Sequence, residues 1–229
     1  MAITTCVFDA YGTLFDIAAA TRIVADEDSE GDLAHNWPKL AEIWRAKQLQ
    51  YSWLRAVAGV HTNFWEVTCN GLDFALEALG LQNNPALRDR LLHLYWELQA
   101  YPEVSQMLQD LKAGEVKTAI LSNGSPGMLD GAVRSAGIEN SLDAILSVEK
   151  VGVFKPHKSV YGLVEKQFSC LKEEALFVSS NYWDVAAAAG FGFQTAWVNR
   201  AGDPMERLPW VPNHIMKDLN GIAALASGT

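Results

Sequence analysis

The chain has 229 residues, about half of them apolar, with 8 Trp, 9 Phe and 6 Tyr, and that mass of ring and aliphatic carbon excludes a disordered or collagen-like chain. Its length suits one α/β core with a sizeable interior, or such a core plus a small insert. A formal charge of −9 without any basic stripe argues against nucleic-acid binding, so an anionic ligand must be met by a few local Lys or Arg residues.

The opening run, residues 3–8 (ITTCVF), is β-rich and ends on Asp9; Ala-Tyr-Gly-Thr then turns the chain. That pattern predicts a buried strand delivering its C-terminal end to a loop, the place where open α/β sheets bind ligands. From about 18 to 99 the chain reads as helix almost throughout. Leu33, Trp37, Leu40 and Trp44 step by four, three and four, and Tyr51, Leu54 and Val57 extend the same apolar face. A second helix is predicted over 62–79, stopped by Gly80, and a third over 85–98 with Pro85 in its first turn.

Strand and helix then alternate: strand 117–121, helix 127–136, strand 144–147, helix 159–168, strand 175–179, helix 185–189 and strand 195–198. This rhythm predicts a parallel sheet covered on both faces. A last helix is expected over 219–226. The fold class is therefore α/β: a Rossmann-like parallel-sheet core, residues 1–15 and 99–229, with an inserted α-helical cap subdomain, residues 16–98.

The three thiols, Cys6, Cys69 and Cys170, are too widely spaced for a disulfide framework or a zinc motif, and the expected compartment is reducing. The N-terminal residues lack the pattern of a signal peptide, and no run of about 18 apolar residues suggests a membrane helix. A cytoplasmic protein without membrane or nucleic-acid partners is expected. His35, His61, His93 and His214 show no metal-ligand spacing, and His157 reads as a loop residue.

Four polar clusters are expected at strand ends: DAYGT (9–13), LSNG (121–124), FKP (154–156) and SSNYWD (179–184). A parallel sheet would bring Asp9, Thr13, Ser122, Asn123, Lys155, Ser179, Asn181 and Asp184 around one pocket. A carboxylate at such an edge can act as a nucleophile and form a covalent ester.

DAYGTLFD, ILSNG, VFKP followed by Tyr161, and FVSSNYWD together resemble the four signature motifs of the haloacid dehalogenase superfamily, over essentially the whole chain. The segment WRAKQLQYSWLR (44–55) resembles the cap of its L-2-haloacid dehalogenase branch. Superfamily phosphatases carry a second Asp two residues after the nucleophile and carboxylates in the fourth motif to hold Mg²⁺. Here Tyr11 and Ser179-Ser180-Asn181 stand in those places. Two carboxylates beside Lys155 make a poor octahedral cage, so no metal and no cofactor is expected.

The resemblance implies hydrolytic conversion of (S)-2-haloacids to (R)-2-hydroxyacids plus halide through an aspartyl ester. Asp9 would attack the carbon. Arg45 would receive the halide, helped by Asn123 and Phe64. Ser122 would bind the substrate carboxylate, Lys155 and Thr13 would orient Asp9, and Tyr161 would brace the site. Asp184 would activate or position water, with Ser179 and Asn181 completing the network. Tyr11, Leu49, Phe64 and Trp183 would wall the substrate. The branch's usual Gln after the cap Arg is Ala46 here, which predicts a roomier pocket. A homodimer is expected from the resemblance alone. Three other readings stay open: a Mg²⁺-dependent phosphatase on this fold, a non-catalytic descendant that binds an anion or a partner, and a haloacetate-preferring variant.

Overall fold

The computed structural model describes residues 2–27 and 33–228. A six-stranded sheet in the order β3-β2-β1-β4-β5-β6 forms its spine, and every pairing is parallel. Its strands are β1 (Thr5–Phe8), β2 (Lys117–Ser122), β3 (Ala144–Ser147), β4 (Ala175–Ser179), β5 (Gln194–Val198) and β6 (His214–Met216). All four residues of β1 are buried, as both faces of a helix-covered parallel strand must be. Phe8 pairs with Ile120 on one side and Val178 on the other, so Asp9 emerges between the ends of β2 and β4.

Four helices lie between β1 and β2 before the chain re-enters the sheet layer: α1 (Ala19–Glu27), α2 (Leu33–Ala58), α3 (Phe64–Ala78) and α4 (Pro85–Trp96). Residues 28–32, which the sequence reading included in its helical stretch, lie outside the described residues. The insertion leaves and returns through a paired stem. Asp16 N donates to Gln99 O at 2.9 Å, and Tyr101 N donates to Leu14 O at 2.9 Å. Asn63 caps α3 through Glu66 N, which starts that helix later than residue 62, and Asn84 caps α4 ahead of Pro85. Leu40 and Trp44 of α2 are buried, but the apolar face does not continue as expected: Leu54 is 59% exposed and Val57 89%. These two residues face solvent although the same turns stay tied to the protein, with Ser52 buried and Arg55 paired with Glu66 of α3.

Two elements were not anticipated. One is α5 (Val104–Ala113), whose Val104, Met107, Leu108 and Leu111 are all buried at helical spacing against the sheet. The other is β6, a short edge strand with little burial. The remaining helices, α6 (Pro126–Ser135), α7 (Lys158–Phe168), α8 (Tyr182–Phe191) and α9 (Ile222–Ser227), follow the alternation. α8 begins at Tyr182, not 185, which puts Asp184 inside its first turn. The run containing Lys155 also differs from expectation. It does not end a strand: β3 stops at Ser147, a 3-10 turn covers Val148–Lys150, and Lys155 sits in the loop before α7. No helix among the described residues is long and apolar enough to cross a membrane.

Candidate active site

The tight turn after β1 shapes the nucleophile loop. Gly12 has φ +88°, a conformation strained for residues with a Cβ, and its N–H donates to Phe15 O. The turn brings Thr13 back beneath Asp9, where the Thr13 hydroxyl donates to Asp9 Oδ2 at 3.3 Å. That oxygen is the better covered of the two. Asn181 Nδ2 donates to it at 2.8 Å, and the Ser179 hydroxyl approaches at 3.5 Å. Asp9 Oδ1 takes one partner, Lys155 Nζ, at 3.1 Å.

Lys155 is fully buried and bridges two carboxylates, reaching Asp184 Oδ2 at 2.7 Å as well as Asp9. Burial by itself pulls an ammonium's pKa down, but Asp184 and Asp9 outweigh it and hold Lys155 above the usual lysine range. Asp184 moves the other way: burial raises it to about 6, against the lowering influence of Lys155. The Tyr161 hydroxyl donates to Asp184 Oδ1 at 2.7 Å. Burial, then Asp184, push that phenol well above its ordinary value, so it stays protonated and stays a donor.

The second-motif loop serves two purposes. Ser122 is buried and accepts from Gly124 N at 3.1 Å, which folds the loop; Asn123 Oδ1 accepts from Lys155 N at 2.9 Å, which places the lysine backbone. Gly124 is needed here: a Cβ would stand 2.9 Å from the Tyr11 ring and 2.9 Å from Leu129.

From the helical insertion, Arg45 is not the solvated surface residue its helix would suggest. It is half-buried and donates to Asn181 Oδ1 at 3.1 Å, so Arg45, Asn181 and Asp9 form one chain of contacts across the two layers. Phe64 is buried against Tyr11 and Phe154, with ring centres 5.8 and 6.1 Å away. Leu49 and Trp183 line a surface hollow of about 410 Å³ with Asn181, and Trp183 meets Trp53 edge-on. Ala46 is exposed, so the replacement of Gln at that position does not widen a buried pocket.

The site so assembled has the order and spacing of one known family. A model of haloacid dehalogenase-like hydrolases matches residues 3–192. The chain belongs to that family. It is 42% identical over 204 residues to (S)-2-haloacid dehalogenase 1 of Pseudomonas sp. strain CBS-3, covering 89% of this chain and 88% of the relative. It is 43% identical over 198 residues to an (S)-2-haloacid dehalogenase of Xanthobacter autotrophicus, covering 86% and 76%. A structure of L-2-haloacid dehalogenase from Xanthobacter autotrophicus with chloropropionic acid covalently bound superposes with a TM-score of 0.89 at 34% identity, covering 99% of each chain.

In this family member Thr13, Lys155, Ser179 and Asn181 bond Asp9 directly. Asp184 and Arg45 are linked to it through Lys155 and Asn181, and Tyr161 through Asp184. Ser122 instead bonds within its own loop, and Leu49 and Trp183 line the surface hollow. Other residues that sequence reasoning missed also hold the site. Ser180 N donates to Thr13 Oγ1 at 2.9 Å and its hydroxyl to Gly12 O at 2.6 Å, pinning the nucleophile loop to the fourth motif. The Ser147 hydroxyl donates to Gly124 O at 2.7 Å and fixes the second-motif loop. Arg200 donates to Thr13 O at 3.2 Å and to Glu103 at 2.6 Å, and its guanidinium lies 3.8 Å over the Tyr101 ring. Each acts on backbone carbonyls or loop geometry, for which residue type alone carries no signature. His157 lies in the loop before α7, accepts from Ser159 N and caps that helix.

A divalent cation does not fit the donor set. The ammonium of Lys155 already lies between the two carboxylates, and among the described residues no three His, Cys, Asp or Glu side chains gather into a metal-binding cluster. Cys6 lies in β1 with burial pushing its thiol up to about 12, which makes it a packing residue.

Proposed function

We propose that this hydrolase converts (S)-2-haloacids to (R)-2-hydroxyacids plus halide without a metal ion. The observation that carries the reading is Lys155 wedged between Asp9 and Asp184, which supplies positive charge by an ammonium at the place a cation would otherwise hold. The covalent chloropropionate adduct in a relative supports the chemistry. A phosphatase reading needs an acid at Tyr11 and a cation beside Asp9, and neither requirement is met by the side chains there.

In this mechanism Asp9 Oδ1, which has a single partner, attacks C2 of the substrate from the side opposite the halogen. The carbon–halogen bond breaks and its electron pair leaves with the halide. Asp9 Oδ2 becomes the ester carbonyl oxygen, and Asn181, Thr13 and Ser179 remain aimed at it, ready to stabilise the charge that water attack develops there. Ser122 and the adjacent loop amides bind the substrate carboxylate, while Arg45, Asn123 and Phe64 receive the halide. Asp184, near 6 and ionised at neutral pH, takes the proton from water, and Tyr161 holds it in place. Water adds to the Asp9 carbonyl carbon, and the acyl–oxygen bond breaks as the proton held by Asp184 passes to the departing oxygen. The remaining acid proton leaves to solvent to restore the Asp9 carboxylate, so the product hydroxyl keeps an oxygen that was Asp9's. Residues 16–98 act as a cap that closes this chamber, and the buried rings of Phe64 and Tyr11 keep bulk water from the ester-forming step.

The deciding experiment is halide release from L- and D-2-chloropropionate in excess EDTA. Release from the L enantiomer alone is expected. Equal release from both, or its abolition by EDTA, overturns the reading. A single turnover in ¹⁸O-water should label Asp9 and leave the first product unlabelled.

A further inference from the structure

Three phenols surround the Asp9 pocket, and two of them have partners. The Tyr161 hydroxyl donates to Asp184, and the Tyr95 hydroxyl pairs with Gln48. The Tyr11 hydroxyl is different. Its side chain is 97% buried, and the oxygen forms no hydrogen bond within the protein. A buried hydroxyl without an acceptor is costly, and native sites keep such a group where a ligand supplies the missing atom.

The ring is held immobile by its neighbours. It stacks on Tyr95 with ring centres 5.7 Å apart at 15°, tilts against Phe64 at 5.8 Å, and meets Gly124 where even a methyl group would collide. The phenol is close enough to feel both the Asp9 carboxylate and the Arg45 guanidinium. Burial, with Tyr95 and Asp9 adding to it, keeps the hydroxyl well above its ordinary value, so its proton is available as a hydrogen-bond donor through the neutral range.

We infer that Tyr11 is a donor to the departing halogen: its O–H points a hydrogen bond at the halide as the carbon–halogen bond breaks, beside the Arg45 guanidinium. This rests on the dehalogenase reading and deepens it. The phenol keeps its proton throughout. The Asp9 oxygen forms the new bond to carbon, the bonding electron pair departs with the halogen, and the O–H partner strengthens as negative charge grows on that atom. Such an interaction is weak with the neutral halogen and strong with the anion, the pattern that lowers a barrier without tightening substrate binding. Its strength should follow the charge density of the leaving anion, so Tyr11 sets the order of preference among halogens.

The test is Tyr11→Phe, measured by the pre-steady-state burst of halide release from L-2-chloro-, L-2-bromo- and L-2-iodopropionate. Because the lost hydroxyl has no protein partner, the variant should melt at or above the wild-type temperature. The halide-release rate on the chloro substrate should fall about 10- to 100-fold, the worth of a hydrogen bond to a charged group. The loss should shrink through bromide to iodide, and the rate of ester hydrolysis should change much less. An equal loss on all three substrates, or a raised KM at unchanged kcat, would assign Tyr11 to the wall or to the carboxylate and overturn the inference alone. No halide from the wild type on any of the three removes the dehalogenase reading, and the inference with it.

Discussion

Replacing Lys155 with Met keeps the length of the side chain and deletes its charge. The ammonium lies 3.1 Å from Asp9 and 2.7 Å from Asp184 and is fully buried, so Lys155→Met leaves two carboxylates facing each other without a counter-ion. Removing one partner of a buried ion pair typically costs about 3–5 kcal/mol. For a chain of this size that is a fall of roughly 6–20 °C in melting temperature. The penalty depends on pH with a definite sign. Without the lysine, the carboxylates relieve their repulsion by keeping a proton, so in the folded state they bind it more tightly than when unfolded. Stability gained this way is present at low pH and lost as pH rises through the elevated folded value. The variant should therefore lose more stability at about pH 8 than at about pH 5. Urea denaturation at the two pH values measures this directly, alongside halide release, which should be undetectable. A Lys155→Met protein as stable as wild type, with a parallel pH profile, would refute the argument that two ionised carboxylates depend on this one ammonium.

The pH–rate profile should show an acid limb near 6, because Asp184 works ionised; below it, kcat/KM should fall about tenfold per pH unit. Tyr161→Phe removes a donor that favours the ionised form, so the limb should move to higher pH. Because Asp184 is raised from its ordinary 3.8, the stability it contributes is present below about pH 4 and declines as pH climbs through about 6. Asp9→Asn should abolish halide release while circular dichroism stays native, since the swap preserves volume; residual turnover at the wild-type rate would remove Asp9 from the mechanism. Arg200→Met should destabilise the protein by about 1–3 kcal/mol in urea and lower kcat more than it raises KM, because its bonds to Thr13 O and Glu103 hold the nucleophile loop and not the substrate. A KM effect with kcat intact would contradict that role.

The fold was legible wherever burial imposed a periodicity. The strand 175–179 matches the observed β4, because a strand buried on both faces reads as an uninterrupted apolar run between polar turns. The strand 144–147 matches β3, a half-buried edge strand still marked by the short apolar run of Ala144, Ile145 and Leu146. α5 carried an equally clear signal, with Val104, Met107, Leu108 and Leu111 at helical spacing, and it was overlooked between the helical insertion and the first strand of the alternation. β6 carried none: three half-exposed residues at a sheet edge have no alternation to read. The over-extension of the α2 apolar face has a different origin. Leu54 and Val57 keep the helical period, but period says which way a residue faces along a helix and not whether anything packs there.

The candidate site divides along a similar line. Asp9, Lys155 and Asp184 stood out because charged groups in polar clusters expected at the edge of a parallel sheet need a reason, whereas Arg45 and Tyr161 were reached only through the family resemblance. Lys155 shows the limit of that reasoning. Its residue type was telling, but its address was wrong, since it arrives on a loop beyond a 3-10 turn and not at a strand end. What carries it to Asp9 is a backbone bond: Asn123 accepts from the Lys155 N–H, and the Ser147 hydroxyl holds the adjoining Gly124 carbonyl. Ser180 and Arg200 act similarly on Gly12 and Thr13 carbonyls. A carbonyl is present at every position of every chain, so no pattern of residue types distinguishes the few that must be held. The reacting groups are thus the part of an active site that sequence exposes, and the angles between them are set by bonds that become visible only when the loops are seen together.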